Sequence, residues 1–433
     1  MTQTLVDQQP TDYQELAKRV RPHPFVDGPT RIQGRWRLAE WTVATVRKPR
    51  RAAGPPAERP VTRGTAMVGT ERASWQELYR QVVQTDLCAG CGACVMACPR
   101  DVLDYHASYH PVNTEPTTHA DACAHGVRGC DICTRACPRF GAWELDGDQA
   151  LHGRPRQPEE VFGISRGIWL ARATHPAVLA AAQDGGLVSA LLLWGLQSGQ
   201  IQGALCSRRS PTRPWDAEPF LATTAAEVLA AAGSRYSYSA NTLAMRQAEQ
   251  RGLQRLALVG TSCQAAINGT LAARRVNKYA RRIQLTIGLL CSKTFQYQGL
   301  RQVIQEHGVP LEDVAKLDIK GKLLVWRHST GERVDIPLTE LRGFTRQGCR
   351  LCSDFAASLA DISAGGLGQR DGWTLTIVRT GRGADWLQGA ADAGAVTLRP
   401  GEEDPAAIAL LAKLAAKSRR RATAASTAAT PAG

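Results

Sequence analysis

Aromatic side chains are scarce. Phe, Tyr and Trp make up 6% of the 433 residues against 43% hydrophobic residues in all, so any large core must be mostly aliphatic and alanine-rich. Long apolar runs are missing too. The best, Leu187 to Leu196, is about half of the roughly 20 residues a spanning helix needs, which excludes a membrane-spanning reading. The opening MTQTLVDQQP lacks the basic stretch followed by an apolar one that marks a secretion signal. The expectation is therefore a cytoplasmic protein, at most peripheral to a membrane complex.

Acidic residues are outnumbered. Asp and Glu total 39 against 53 Lys and Arg, a formal charge of +14. Two basic runs stand near the ends: Arg47, Lys48, Arg50 and Arg51, and Lys417, Arg419, Arg420 and Arg421. No nucleic-acid module accompanies them, so nucleic acid is not the expected partner. The runs read as solvated tails, while basic residues inside the folded part suit an acidic cofactor or an acidic partner protein.

What the chain does have is cysteine, 13 in all. Without a secretion signal, that number points to metal or redox chemistry rather than disulfides. Eight of them lie in residues 81–148, a stretch with little regular periodicity, where metal would replace a hydrophobic core. Before it, residues 1–80 form a basic, Pro/Gly-punctuated extension expected to be partly disordered, with short helices around Tyr13–Val20 and Trp75–Val83. After it, HGRPRQPEE at 152–160 is a linker. Residues 161–396 alternate strand-like and helical runs. Strands are expected at Ile168–Ala173, Gly203–Cys206, Arg255–Val259, Gln284–Leu290 and Trp373–Arg379. Helices are expected at Leu187–Leu196 and Leu300–His307, and a hairpin pairs Leu323–His328 with Arg333–Ile336. Residues 397–433 read as a helix and a disordered basic tail. The fold class expected is α+β, a small cluster domain followed by a larger mixed α/β domain.

Cys88, Cys91, Cys94 and Cys98 form CxxCxxCxxxCP with Pro99, the bacterial ferredoxin run. Three cysteines at intervals of three wrap one corner of a cubane cluster, and the fourth reaches a second cluster. Gly90 and Gly92 let the loop backbone approach the inorganic sulfides. A second copy, Cys123, Cys130, Cys133 and Cys137 before Pro138, has a longer first gap in which GVRG is an insertion. By this logic Cys88, Cys91, Cys94 and Cys137 hold one 4Fe-4S cluster, and Cys98, Cys123, Cys130 and Cys133 the other. Zinc sites use two separated CxxC knuckles, which these runs do not match. His125 reads as a neighbour of the ligands or as exposed. Cys263 in VGTSCQ, Cys291 in IGLLC, and Cys349 and Cys352 in GCRLCSD make a candidate third 4Fe-4S set, with a redox-active or zinc-bound CxxC as the alternative. Cys206, alone after an apolar run, reads as a buried thiol.

These residues also carry a resemblance. QDGGLVSALL at 183–192, VGTSCQ at 259–264, IGLLCSKTF at 287–295, CRLCSDFAASLADISAGGLG at 349–368 and GWTLTIVRT at 372–380 resemble the family formed by the beta subunits of the coenzyme F420 hydrogenases and dehydrogenases, over about 161–395. Ser262 stands where that family usually has Pro. The resemblance implies FAD, a 4Fe-4S cluster beside it, coenzyme F420 as substrate, and a ferredoxin or another subunit as one-electron partner. No catalytic side chain is required, because the flavin mediates between hydride and single electrons. Cofactor contacts are expected from Gly185 and Gly186 at a helix N-terminus, from Gly365, Gly366 and Gly368 in a second loop, and from Lys293 and Arg379 toward phosphate or the acidic tail of F420. The family also includes ferredoxin-dependent chlorophyll-pathway reductases. A non-catalytic electron-relay subunit is the third alternative.

Overall fold

The computed structural model describes residues 73–105, 109–116, 119–368 and 370–428, with side chains to residue 422, together with the backbone of a short antiparallel pair, β1 (Thr30–Ile32) and β2 (Arg35–Arg37). The expected helix at Tyr13–Val20 and the basic run at 47–51 lie outside the described residues.

Ser74 starts the first helix, Trp75–Leu78, through a capping box with Glu77. Trp75 is buried, and its indole N–H donates to the Ala120 carbonyl at 2.9 Å. The helix passes into a π turn over Tyr79–Val83, so the expected Trp75–Val83 element is found as two joined pieces. Two five-residue helices follow the cysteine loops, Ala93–Ala97 and Ile132–Ala136, and they end at Cys98 and Cys137. The strands β3 (Leu103–Tyr105) and β4 (Pro111–Asn113) form a hairpin beside them.

The larger unit is built on one eight-stranded sheet. Its strands are β5 (Gly167–Ala173), β6 (Gly203–Arg209), β7 (Ala217–Ala222), β8 (Leu256–Thr261) and β9 (Ile283–Leu289), then β13 (Ile362–Gly365), β14 (Thr374–Val378) and β15 (Val396–Pro400). Between the two groups, β10 (Val314–Ile319), β11 (Leu323–Arg327) and β12 (Arg333–Ile336) make a separate antiparallel sheet. The large sheet runs β15-β5-β14-β13-β9-β8-β6-β7. Its centre is parallel, β13-β9-β8-β6, and both flanks are antiparallel. Parallel strands are covered on both faces; accordingly Leu256 through Gly260 of β8 are all buried. The helix Leu187–Gln197 lies on one face and buries Leu187, Leu191 and Leu193.

The cluster segment is clamped to the large unit. Helix Trp143–His152 crosses helix Ile267–Ala273 where Gly147 meets Gly269; a Cβ on Gly269 would stand 3.0 Å from the Gly147 Cα. Arg135 donates to the carbonyls of Arg274 and Arg275 at 2.6–3.0 Å. Arg274 answers with bonds to the carbonyls of Thr134, Cys137 and Phe140.

The C-terminal expectation needs correction. Residues 396–400 are the edge strand β15, not helix, because Val396 is buried and the strand pairs with β5. The helix starts at Pro405 and runs to Ala428, through the basic run that was expected in a disordered tail. Its alanine-rich sequence favours helix, and contacts to the loop of Cys349 and Cys352 hold it.

Candidate redox site

Twelve of the thirteen cysteines gather in three sets of four. In the first set, the Cys94 thiol is surrounded by those of Cys137, Cys91 and Cys88. The second set surrounds Cys133 with Cys130, Cys98 and Cys123. A pocket has Cys98, Cys123, Cys130 and Cys133 all in its wall, with Trp75, Leu103 and His125. In the third set, Cys291 is surrounded by Cys349, Cys263 and Cys352. Among the described residues no group of three or more His, Cys, Asp or Glu could hold a single metal ion. A cubane asks for a wider spacing, with one thiolate on each of four irons.

Sheet geometry explains the third set. Strands β8 and β9 are parallel and in register, Thr261 beside Leu289. Cys263 and Cys291 therefore leave the same C-terminal edge, where open α/β sheets place ligands. The short helix Gln347–Arg350 brings Cys349 and Cys352 to that edge. Thr261 Oγ1 lies 3.4 Å from Cys263 Sγ. The C-terminal helix closes the loop from outside. Ser418 Oγ donates to the Cys352 carbonyl at 2.8 Å, and Arg421 Nη2 reaches the Cys349 and Cys352 carbonyls at 3.5 and 3.4 Å.

The sets also touch one another. Cys94 of the first faces Cys133 of the second, and Cys91 of the first faces Cys263 of the third. A Cβ on Gly348 would stand 2.8 Å from the Cys88 carbonyl carbon, so the third set's loop packs directly on the first set's backbone. The first set is therefore the neighbour of both others.

Burial and crowding with other thiols push most of these cysteines up. Cys137 rises to about 11 through burial, Cys263 to about 12 through burial and then Cys349. Cys91, Cys94 and Cys291 stand well above the usual thiol value, burial first and neighbouring thiols second. Four buried thiols together are stable as thiolates only when a cation gathers them, and metal binding releases their protons. Backbone N–H groups already aim at sulfur: Gly90 at Cys88 and Gly126 at Cys123, both 3.4 Å. These sets fit 4Fe-4S clusters. Burial raises Cys123 first, and the Glu115 carboxylate beside it pushes in the same direction. His125 is held by Glu115 at 3.8 Å and Arg128 at 3.0 Å. Cys206 is buried in β6 opposite Phe220, apart from all three sets.

The expected flavin contacts divide. Gly186, at φ 74°, opens the helix Leu187–Gln197, whose first turn has no side-chain cap. The two glycine loops meet, because a Cβ on Gly366 would strike the Asp184 carboxylate. Lys320, which sequence reasoning missed, closes the junction; its Nζ lies 3.3 Å from the Gly366 carbonyl and 3.9 Å from Asp184. Packing accounts for glycine at Gly185 and Gly365, where a Cβ would meet Ala171 and Leu290. Gly368 needs glycine both for its φ of 103° and because a Cβ would meet Asp404. Lys293 lies beside the third set in a group of cations; burial lowers it first, then Arg342, Arg421, Lys417 and Arg350. That grouping is compatible with an anionic ligand.

Arg379 is the correction. It is fully buried, and its guanidinium donates to Ser363 Oγ at 2.6 Å, Ile164 O at 3.0 Å and Ala356 O at 2.7 Å. Burial lowers it to about 10. It ties three backbone segments together inside the protein and does not face an anionic ligand.

Residues 168–246 match the N-terminal part of the family described as coenzyme F420 hydrogenase/dehydrogenase, beta subunit, and residues 253–404 match its C-terminal part. The chain belongs to this family of F420 hydrogenase and dehydrogenase beta subunits. In front of those domains, residues 87–142 match a 4Fe-4S dicluster domain. The beta subunit of coenzyme F420 hydrogenase from Methanothermobacter thermautotrophicus is 36% identical over 272 residues, 60% of this chain and 94% of that protein. The F subunit of F(420)H(2) dehydrogenase from Methanosarcina mazei is 30% identical, covering 72% of this chain and 84% of that one. Coenzyme F420-dependent sulfite reductase from Methanocaldococcus jannaschii is 30% identical over 70% of this chain, but only 46% of its own length is matched. Among solved structures, a chain of the F420-reducing NiFe hydrogenase complex from Methanosarcina barkeri superposes with a TM-score of 0.60 at 29% identity, covering 63% of this chain and 95% of that one. The F420 family match stops at 404, so the helix Pro405–Ala428 that closes the third thiol set lies beyond it.

Proposed function

We propose that this relative of the F420 hydrogenase/dehydrogenase beta subunits is an iron–sulfur flavoprotein that exchanges hydride with coenzyme F420 and single electrons with a ferredoxin or a partner subunit. The observation that carries the reading is the three adjoining thiol sets, the first next to both others, across two folding units. A deazaflavin gives up two electrons at once as hydride, whereas a 4Fe-4S cluster carries one. FAD is the cofactor that supplies the conversion between them.

The chain's own part is to hold and to separate. Cys88, Cys91, Cys94 and Cys137 would bind the middle cluster, Cys98, Cys123, Cys130 and Cys133 the outer one, and Cys263, Cys291, Cys349 and Cys352 the one beside the flavin. Lys293, with Arg342, Arg350, Lys417 and Arg421, would take the phosphates or carboxylates of a flavin or deazaflavin. The loops at Gly185–Gly186 and Gly365–Gly366, with Lys320, offer backbone N–H groups and a second cation. The second set is the end for a protein partner. Its Cys98, Cys123 and Cys130 are half-buried, as are the four thiols of the third set, but the third set is closed over by the C-terminal helix and is given to the flavin in this reading, and the first set is enclosed by the other two.

The test is anaerobic purification with iron, sulfide and flavin analysis, followed by addition of reduced F420. About twelve irons and one flavin per chain, with the flavin colour bleached by reduced F420, is the expected result; the iron figure follows from four per cluster. Iron without flavin would instead mark an electron-relay subunit.

A further inference from the structure

Arg139 follows Cys137 and Pro138, and it lies where the first and third thiol sets meet. Its backbone N–H points at Cys137 Sγ of the first set. Its guanidinium reaches the third set, where Cys352 is its strongest charge partner and also a hydrogen-bond partner, with Cys263 and Cys349 as further charge partners. The same positive charge is felt by Cys88, Cys263 and Cys352. The Trp143 ring lies against the guanidinium, 5.4 Å from its centroid. One nitrogen, Nη2, is buried with no hydrogen-bond acceptor among the described residues.

A guanidinium keeps its charge under all conditions in which a protein stays folded. Buried nitrogens of this kind are normally satisfied, so Nη2 calls for an acceptor beyond the protein atoms described. A thiolate or sulfide sulfur of a cluster in the third set is an acceptor of the right class, and hydrogen bonds to such sulfurs are among the main controls of cluster potential. The charge acts in the same direction: each added electron is stabilised by a nearby fixed cation.

We propose that Arg139 is a positioning residue that couples the first and third thiol sets and raises the reduction potentials of the clusters they hold, that of the third set most. The proposal rests on the reading that the sets bind 4Fe-4S clusters. Its consequence is that electrons are held in the inner two positions and leave for the second set only when a partner draws them.

The experiment uses the full chain purified without oxygen, with cluster reduction followed by electron paramagnetic resonance at controlled potential. Arg139→Gln keeps hydrogen-bonding groups and removes the charge; Arg139→Lys keeps the charge. In Arg139→Gln with wild-type iron content, the reduced-to-oxidised ratio of one cluster should fall about tenfold at fixed potential, which is 59 mV for a one-electron couple. The first set's cluster should move less than the third set's, and that of the second set should stay. Arg139→Lys should stay close to wild type. Three unmoved clusters in iron-replete Arg139→Gln overturn the proposal, as does an equal shift in all three. If Arg139→Gln loses iron, Arg139→Lys decides: full iron with wild-type potentials upholds the charge role, and iron loss there too overturns it. Wild-type protein without iron would sink the underlying cluster reading, a separate outcome seen before any variant is made.

Discussion

Arg274 fastens the cluster segment to the F420-family domain, and removing it should loosen one without unfolding the other. Its side chain is 12% exposed and follows the helix Ile267–Ala273. It donates to Thr134 O at 3.2 Å, Cys137 O at 3.1 Å and Phe140 O at 2.5 Å, and pairs with Asp146 at 3.0 Å. A hydrogen bond from a charged donor contributes about 1.5–3 kcal/mol net. Three of them give about 4.5 kcal/mol at the low end. Asp146 is about a third exposed, so its pair adds about 0.5 kcal/mol after screening. Water entering the gap in Arg274→Ala recovers about half of the total, leaving about 2–3 kcal/mol for local opening. At 1.36 kcal/mol per decade, amide exchange across residues 134–146 should accelerate about 30- to 150-fold, while β8 and β9 exchange as in wild type. Hydrogen exchange read by mass spectrometry on the anaerobic protein measures this. Arg274→Lys should fall between, since one ammonium cannot serve three carbonyls and Asp146 in the same geometry. Exchange in 134–146 within about threefold of wild type would refute the docking argument, because local opening would then not pass through these bonds.

Two further outcomes follow from burial. Cys206→Ala should keep the wild-type content of iron and sulfide and lose about 1 kcal/mol of stability in chemical unfolding; loss of iron would show that the thirteenth cysteine takes part after all. Arg379→Met should destabilise the chain by about 3–5 kcal/mol, because three carbonyl or hydroxyl acceptors lose a buried donor. Thermal unfolding checks it. Flavin lost from a variant of undiminished stability would return Arg379 to the cofactor site.

Most of the site could be read from spacing, because cluster ligands are set by local geometry. CxxCxxCxxxCP fixes three thiols on one loop and sends the fourth away, and the fold places Cys137 with the first run and Cys98 with the second. The third set was readable from a different signal. Cys263 and Cys291 each end a buried apolar run, and parallel strands bring such ends to one edge. Strand and helix periodicity marked β5, β8, β9, β14 and Leu187–Gln197 to within a few residues. β7 and β13 were not visible, because AEPFLA carries a proline and ISAG is four residues beside glycines. The C-terminal helix was misplaced because a basic, alanine-rich stretch looks like tail until its packing against Cys349 and Cys352 is seen. Arg379 was misjudged for the opposite reason. An arginine after an apolar strand looks exposed, and only the fold shows Ile164, Ala356 and Ser363 closing over it. The signal for Arg139 was present, since CPR ends both cysteine runs, but which of the two arginines turns inward is a tertiary fact.

The arrangement of the cysteines also decides how the segments depend on one another. Residues 81–148 carry few large apolar side chains. Trp75, Leu78, Val82, Val95 and Leu103 pack there against Cys88, Cys94, Cys133 and Cys137 themselves. Thiols are thus part of the small core. Because each run lends its fourth cysteine to the other run's set, neither set is complete until both runs are placed. Because Gly348 lies on the Cys88 backbone, the third set's loop is seated only when the first is formed. If these sets hold metal as proposed, loading and folding are coupled in this region, whereas the eight-stranded sheet has an aliphatic core of its own. If the sets hold clusters as proposed, the electron path is rigid where the first set packs against the third, and the second set is left as the end for a partner.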